Sequence, residues 1–389
     1  MHSKVILSGI LAALFGVSPV YAEDGKAVIS LTDGIVISKS DKAQSITEEA
    51  LQNKENENAD NQKDGSFFNL FNFSFFSKDK SLSSPTKNET QEEFLARMQQ
   101  NAEQGNVDAL LTLGYMYLYG LNGVEMNYKK SFEYYSLAAQ QGDSTAINNL
   151  GSMYYSGTGI AKNVIKAAEL FAKAGNAGNI DAKLNLALIY LNDDNVELKN
   201  SDEAIKLLKA TAEKDHPVGK YLLGYAYLKG ISVPKNNRKA VENIRFAADK
   251  GYDEAQYMIG YLYERGWGVP QNYNNALKYY NRSASQGNLS AIFMLGELYA
   301  HGQKIEVDYY KAYIMYNLAS FYGMSKAEGK RDIIGSAKLK KPDLLQAQAE
   351  AENFTPRPSE LTQYVRTVFG KSLALYADKS APIILGEEE

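Results

Sequence analysis

With 389 residues, no cysteine and 44% hydrophobic content, the chain has apolar material for a sizeable core, and packing alone must hold it. Disulfides and a lipid-modified cysteine are excluded. A formal charge of −4 and a pI near 5.7 leave no basic footprint for nucleic acid.

The first residues predict export. His2 and Lys4 precede an almost wholly apolar run from Val5 to Val17, and Val20-Tyr21-Ala22 ends in a small residue suited to cleavage, so 1–22 reads as a signal peptide. The run is shorter than the roughly 20 residues a membrane helix needs; an uncut N-terminal anchor is the alternative, and no span is expected after cleavage. Residues 23–89 form a region of different composition. Gln44 to Lys63 is polar with almost nothing to bury, which predicts disorder. Val28 to Leu31 and Ile35 to Ile37 flank Asp33-Gly34, a dipeptide that suits a tight hairpin. Residues 66–77 hold Phe67, Phe68, Phe71, Phe73, Phe75 and Phe76. Such a cluster is costly to leave in water, so it either folds back over the first helix or serves as a second contact for a partner or a membrane surface.

Residues 90–354 are periodic. Gly114, Gly151, Ala187, Gly224, Gly260 and Gly296 recur every 36 or 37 residues, in step with Tyr117, Tyr154, Tyr190, Tyr227, Tyr263 and Tyr299. A third register, Ser131, Ala167, Ala204, Ala240, Ala276 and Ala312, keeps the same period. Three registers in phase predict helix pairs that bury their apolar faces only by stacking on their neighbours. Within each unit, Asn127, Asn163, Asn200, Asn236, Asn272 and Asp308 stand where a side-chain acceptor caps the second helix, and Asn200 with Glu203 resembles a capping box. Gly105, Gly142, Gly178, Gly251, Gly287 and Gly323 close the second helices, with Asp215 in that place once. The mid-helix glycines predict the close approach of another helix.

The flanks are partial. Residues 90–104 read as a lone second helix and 324–354 as a helical end. In 355–389, Thr355-Pro356-Arg357-Pro358 breaks the chain before a helix over 359–377, which either caps the last repeat or binds a partner separately. Ala381 to Leu385 and Glu387 to Glu389 form a tail.

Catalytic and metal signals are scarce, and no cofactor is expected. His2 lies in the signal, and His216 and His301 lie at different repeat phases, so they suggest neither a zinc cluster nor a Ser/His pair. Gly157-Thr158-Gly159 lacks the third glycine and preceding strand of a dinucleotide site. Ser84-Pro85-Thr86-Lys87 matches Ser-x-x-Lys by letter alone, within a polar linker.

Gly-x-x-x-Ala, three residues, Leu-Gly-x-x-Tyr, a glycine-containing loop, then Ala-x-x-Tyr before Ala-Ala-x-x-Gly resembles the Sel1-like repeat, a relative of the tetratricopeptide repeat. Gly251 to Gly287, with Gly266-Trp267-Gly268-Val269 in its loop, carries the pattern most clearly; Gly178 to Asp215 departs most, with Ala187 for glycine and His216-Pro217 at its exit. The resemblance implies an all-α, right-handed α-solenoid superhelix of about six helix-turn-helix repeats with partial capping repeats. It also implies a non-catalytic, protein-binding scaffold or adaptor. Exported bacterial members suggest a periplasmic or secreted protein in envelope signalling or, alternatively, host interaction. A peptidoglycan- or β-lactam-related enzyme is the catalytic alternative, but members linked to it carry cysteine pairs, which this chain lacks.

Positions that the pattern leaves open are candidates for recognition. The residue after the mid-helix glycine gives Tyr115, Ser152, Tyr225, Tyr261 and Glu297; the residue three before it gives Asn148, Tyr221, Tyr257 and Phe293. These are expected to line a partner-binding groove, richest in aromatics from Tyr221 to Phe293. The competing expectation is that inter-repeat packing uses them, because 25 of the 28 tyrosines lie between Gly105 and Gly323.

Overall fold

The computed structural model describes residues 19–21, 27–29, 89–192, 197–301 and 305–366. Two short strands, β1 (Pro19–Tyr21) and β2 (Ala27–Ile29), pair antiparallel with Val20 opposite Val28. Val28 and Ile29 thus pair with an upstream strand, and Ile35 to Ile37 lie outside the described residues. The expected Asp33-Gly34 turn, the polar tract 44–63, the Phe-rich segment 66–77 and the acidic tail lie outside the described residues.

Among the described residues the helices begin with α1 (Gln91–Glu103), the lone second helix. Six pairs follow: α2 (Val107–Tyr119) with α3 (Tyr128–Gln140), α4 (Ser144–Ser156) with α5 (Val164–Asn176), and α6 (Ile180–Leu191) with α7 (Ser201–Ala212). Then come α8 (Pro217–Lys229) with α9 (Asn237–Asp249), α10 (Asp253–Arg265) with α11 (Tyr273–Ser285), and α12 (Leu289–His301) with α13 (Tyr309–Phe321). Beyond them α14 (Ser325–Ala337) and α15 (Lys341–Glu352) both pack on α13. A further helix runs from 360 to 366, the last described residue. The chain forms two compact units divided between Ala182 and Lys183, inside the repeat that departs most from the pattern.

Capping chemistry sets the boundaries. Asn127, Asn163, Asn200, Asn236, Asn272 and Asp308 each accept a hydrogen bond from the backbone N–H three residues on, at 2.9–3.1 Å. The backbone N–H of each also donates to the carbonyl of the recurring tyrosine of the preceding helix, as Asn272 does to Tyr263 at 3.0 Å and Asn127 to Tyr117 at 2.7 Å. One residue thereby starts a helix and ties it to its partner. The reciprocal capping box forms at Thr90 and Glu93 of α1. At Asn200 the backward half is missing, because the Glu203 carboxylate pairs with Lys206 instead.

The two helix types are buried differently. A second helix such as α11 buries one stripe, Ala276, Tyr279, Tyr280, Ser283 and Ala284. A first helix such as α10 is covered nearly all round, from Ala255 through Tyr257, Met258, Ile259, Tyr261 and Leu262. The mid-helix glycine makes room for a side chain of its partner helix, a ring in most repeats and Ile244 at Gly224. A Cβ on Gly260 would lie 2.8 Å from the ring of Tyr280, which is fully buried and donates its hydroxyl to Glu264 at 2.8 Å. Gly296 takes the Tyr316 ring in the same way.

Candidate functional site

The expected aromatic groove is closed. Tyr221, Tyr225, Tyr257, Tyr261 and Phe293 are all 7% exposed or less, as are Tyr115 and Asn148. Of the nine candidates only Ser152 and Glu297 remain partly exposed. The cause is packing against rings of other elements that single-copy comparison does not reveal. Tyr221 meets Tyr252 edge-on at 5.1 Å between ring centres, Tyr257 tilts against Tyr280 at 5.9 Å, Tyr261 meets Trp267 edge-on at 5.8 Å, and Phe293 tilts against Tyr316 at 5.8 Å. These side chains belong to the core, and the groove assignment is corrected accordingly.

What covers three of these rings is cationic. Within the second unit, Lys229 Nζ lies 6.0 Å from the centre of the Tyr225 ring, the Arg265 guanidinium 5.4 Å from Tyr261, and Lys326 Nζ 4.3 Å from Phe293. Lys229 and Arg265 are the last residues of α8 and α10, and the same position holds the exposed His301 on α12. Lys330 extends the group, paired with Glu297 at 2.9 Å, and Glu297 also accepts from the Tyr316 hydroxyl at 2.6 Å. The packed aromatics therefore act as a floor under long basic side chains, Lys229 and Arg265 at the C-terminal ends of α8 and α10 and Lys326 on the first turn of α14. A position-by-position comparison of helix ends would have found Lys229 and Arg265, though not Lys326, which is the second residue of α14.

A second feature lies on the inter-repeat turns. Residues 353–366 do not cap the last repeat. They run back across the turns at Gly287 and Gly251, as a strap. Pro356 rests on Gly287, where a Cβ would lie 2.9 Å from the proline Cβ, and Ser359 rests on Gly251. The Arg357 N–H donates to the Ser285 carbonyl at 2.8 Å, and the Ser359 hydroxyl to the Gly251 carbonyl at 2.8 Å. Gln286 is the hub. Its Oε1 accepts from the Ser359 N–H and the Thr362 hydroxyl, both at 2.8 Å, while its Nε2 donates to the Gly251 carbonyl and to Gln256. Thr362 is fully buried, and Arg366 closes the contact on the Asp253 carboxylate at 2.7 Å.

Beside the strap, Glu254 accepts from Asn288 Nδ2 at 2.8 Å, and burial together with the neighbouring Asp253 charge pushes its carboxyl up to about 7. His216, noted as an unusual repeat exit, caps α8 by accepting from the Gly219 N–H, and exposed His301 lies within hydrogen-bonding distance of the Glu297 carbonyl. Among the described residues no cluster of three or more His, Asp or Glu is placed to hold a metal, and no helix is long and apolar enough to cross a membrane.

Comparison with known proteins bears on this arrangement. Stretches of the chain are 32% identical over 133 residues to a sel1-like repeat-containing protein of Acanthamoeba polyphaga mimivirus, covering 34% of this chain and 24% of that one. They are 31% identical over 107 residues to the ERAD-associated E3 ubiquitin-protein ligase component HRD3B of Arabidopsis thaliana, covering 27% and 17%. They are 27% identical over 110 residues to chitin synthase regulatory factor 3 of Schizosaccharomyces pombe, covering 28% and 12%. The matched stretches thus span a quarter or less of these relatives. A Sel1 repeat protein from Oxalobacter formigenes, known by crystal structure, superposes with a TM-score of 0.53 at 30% identity, covering 59% of this chain and 92% of that one. The Sel1 repeat model matches six consecutive times, at 107–143, 144–179, 180–216, 217–252, 253–288 and 289–323. Six tandem copies over more than half its length, in an all-helical solenoid fold, mean that the chain belongs to the Sel1 repeat family.

Proposed function

We propose that this protein is a non-catalytic adaptor that binds an acidic segment of a protein partner across the basic row of Lys229, Arg265 and Lys326, and that it works in a bacterial periplasm or outside the cell. The row itself carries the reading. Three cations held over buried rings are partly preorganised, so a carboxylate-bearing partner orders less side chain on binding than it would on free lysines. The family supports a binding role: two relatives are named as a ligase component and a regulatory factor. Export rests on the charged start, apolar run and small-residue end of residues 1–22.

Crosslinking capture from the envelope fraction and from the culture supernatant tests the proposal. A partner enriched on the wild-type chain, and lost on Lys229→Glu with Arg265→Glu, is the expected result. A partner retained equally by both proteins places recognition elsewhere, and capture only in the cytosolic fraction contradicts export.

A further inference from the structure

The strap lies on a surface that departs from the repeat pattern. In five of the six repeats the residue preceding the first helix accepts from that helix's first turn through its own side chain: Asn106, Asp143, Asn179, His216 and Asn288. The fifth repeat has Tyr252 there, which makes no such bond. There the Asp253 carboxylate accepts from the Glu254 N–H at 2.9 Å, and Thr362 of the strap accepts from the Asp253 N–H, at the very start of the helix, at 3.1 Å. Beside it Gln256 is 5% exposed where three other repeats carry Leu110, Ile147 and Ile292 and two carry Lys183 and Lys220, and Asp253, also buried, stands where the others carry Val107, Ser144, Ile180, Pro217 and Leu289. Gln141 makes the same bond to Gly105 that Gln286 makes to Gly251, so the Gln-to-turn bond forms without any strap.

We propose that the edge formed by Gly251, Asp253, Gln256 and Gln286 is a peptide-binding site, occupied by the C-terminal segment as a tethered ligand, and that a different protein presenting the same chemistry takes it over. The proposal rests on the reading of the chain as a protein-binding scaffold. The matching partner segment starts extended and proline-flanked, to lie flat on the glycine turn. It then carries two hydroxyl residues three apart, one for the Gly251 carbonyl and one to cap α10, and a basic residue one turn later for Asp253.

Two properties favour exchange over permanent attachment. The strap's polar contacts fall on turn carbonyls, one helix N-terminus, one glutamine and the Asp253 carboxylate, groups that another peptide of the same chemistry can also satisfy. A single helix packed on one face is marginal alone in water, so the order of residues 360–366 depends on docking. The tether gives the strap an effective concentration on the order of millimolar, which a free peptide must overcome.

The test uses the full chain and a fluorescein-labelled peptide of residues 353–366, read by anisotropy. Thr362→Ala with Arg366→Ala weakens the tethered strap, while the added peptide brings its own Thr and Arg. The expected result is binding at least about tenfold tighter to this variant than to wild type, lost again when Gln286→Ala is added. Equal affinity for wild type and variant overturns the proposal. Hydrogen exchange of the unmodified chain decides the matter without variants. Amides of 360–366 exchanging faster than those of α10 and α11 are expected; exchange of the strap only together with those helices makes it a fixed structural part. A dimer that appears in light scattering as the strap is weakened would assign the site to strap exchange between copies, against a foreign partner. Loss of peptide binding with envelope capture intact removes this site and leaves the adaptor reading standing.

Discussion

Glycine to alanine at two helical positions should shift stability in opposite directions. Both Gly260, in α10, and Gly329, in α14, gain about 0.8–1 kcal/mol of intrinsic helix propensity on becoming alanine. At Gly329 no atom lies within 4 Å of the new methyl group, so that gain is the whole effect. At Gly260 the methyl would stand 2.8 Å from Tyr280 Cδ1 and 3.3 Å from the Ala276 carbonyl, closer than carbon atoms pack. The ring has nowhere to go, being fully buried with its hydroxyl held on Glu264. Overpacking of this kind costs about 1–3 kcal/mol, which outweighs the propensity term and leaves Gly260→Ala destabilising by about 0–2 kcal/mol. Urea denaturation followed by circular dichroism measures both. A Gly260→Ala protein as stabilised as Gly329→Ala would refute the claim that the repeat glycine is a socket for the partner helix.

Other consequences follow from the same geometry. Asn236→Ala removes the acceptor for the Lys239 N–H and is expected to cost about 1 kcal/mol in the same denaturation assay. Tyr225→Ser with Tyr261→Ser should lower the melting temperature sharply, since truncating a buried aromatic costs about 3–5 kcal/mol; an unchanged melt would restore the open groove. Glu254→Gln tests the buried carboxyl by its pH profile. The folded chain holds the Glu254 proton up to about pH 7, whereas the unfolded chain releases it near 4.5, so this group lowers stability as pH rises between those values. The variant keeps an acceptor for Asn288 and should gain on wild type across that window, with parallel curves above it; identical profiles throughout would show that Glu254 does not titrate in this way.

The capping asparagines and turn glycines were legible in the sequence because their work is local: a side chain three residues from an N–H, a backbone in the left-handed region. The mid-helix glycines were legible as sockets, though not which side chain fills each. The recognition surface was misread because variation between copies at Tyr221, Tyr257 and Phe293 looked like freedom from packing. Each variant residue in fact meets a matched ring on another element, Tyr252, Tyr280 or Tyr316, so the variation is compensated within the core. The strap was expected as a helix but not at its docking place. Its signal was present as one local break of pattern, Tyr252 at a capping position; linking it to Thr362 requires a contact 109 residues apart, which periodicity does not encode.

The central claim is recognition of an acidic partner by the basic row, and salt dependence of binding tests it most directly. Once a partner is captured, its affinity for wild type and for Lys229→Glu with Arg265→Glu is measured by calorimetry at low and high ionic strength. Affinity that falls as salt rises, and a charge-reversed protein that has lost both the affinity and its salt dependence while melting like wild type, is the predicted result. Binding that is indifferent to salt and unchanged in the variant would contradict the account.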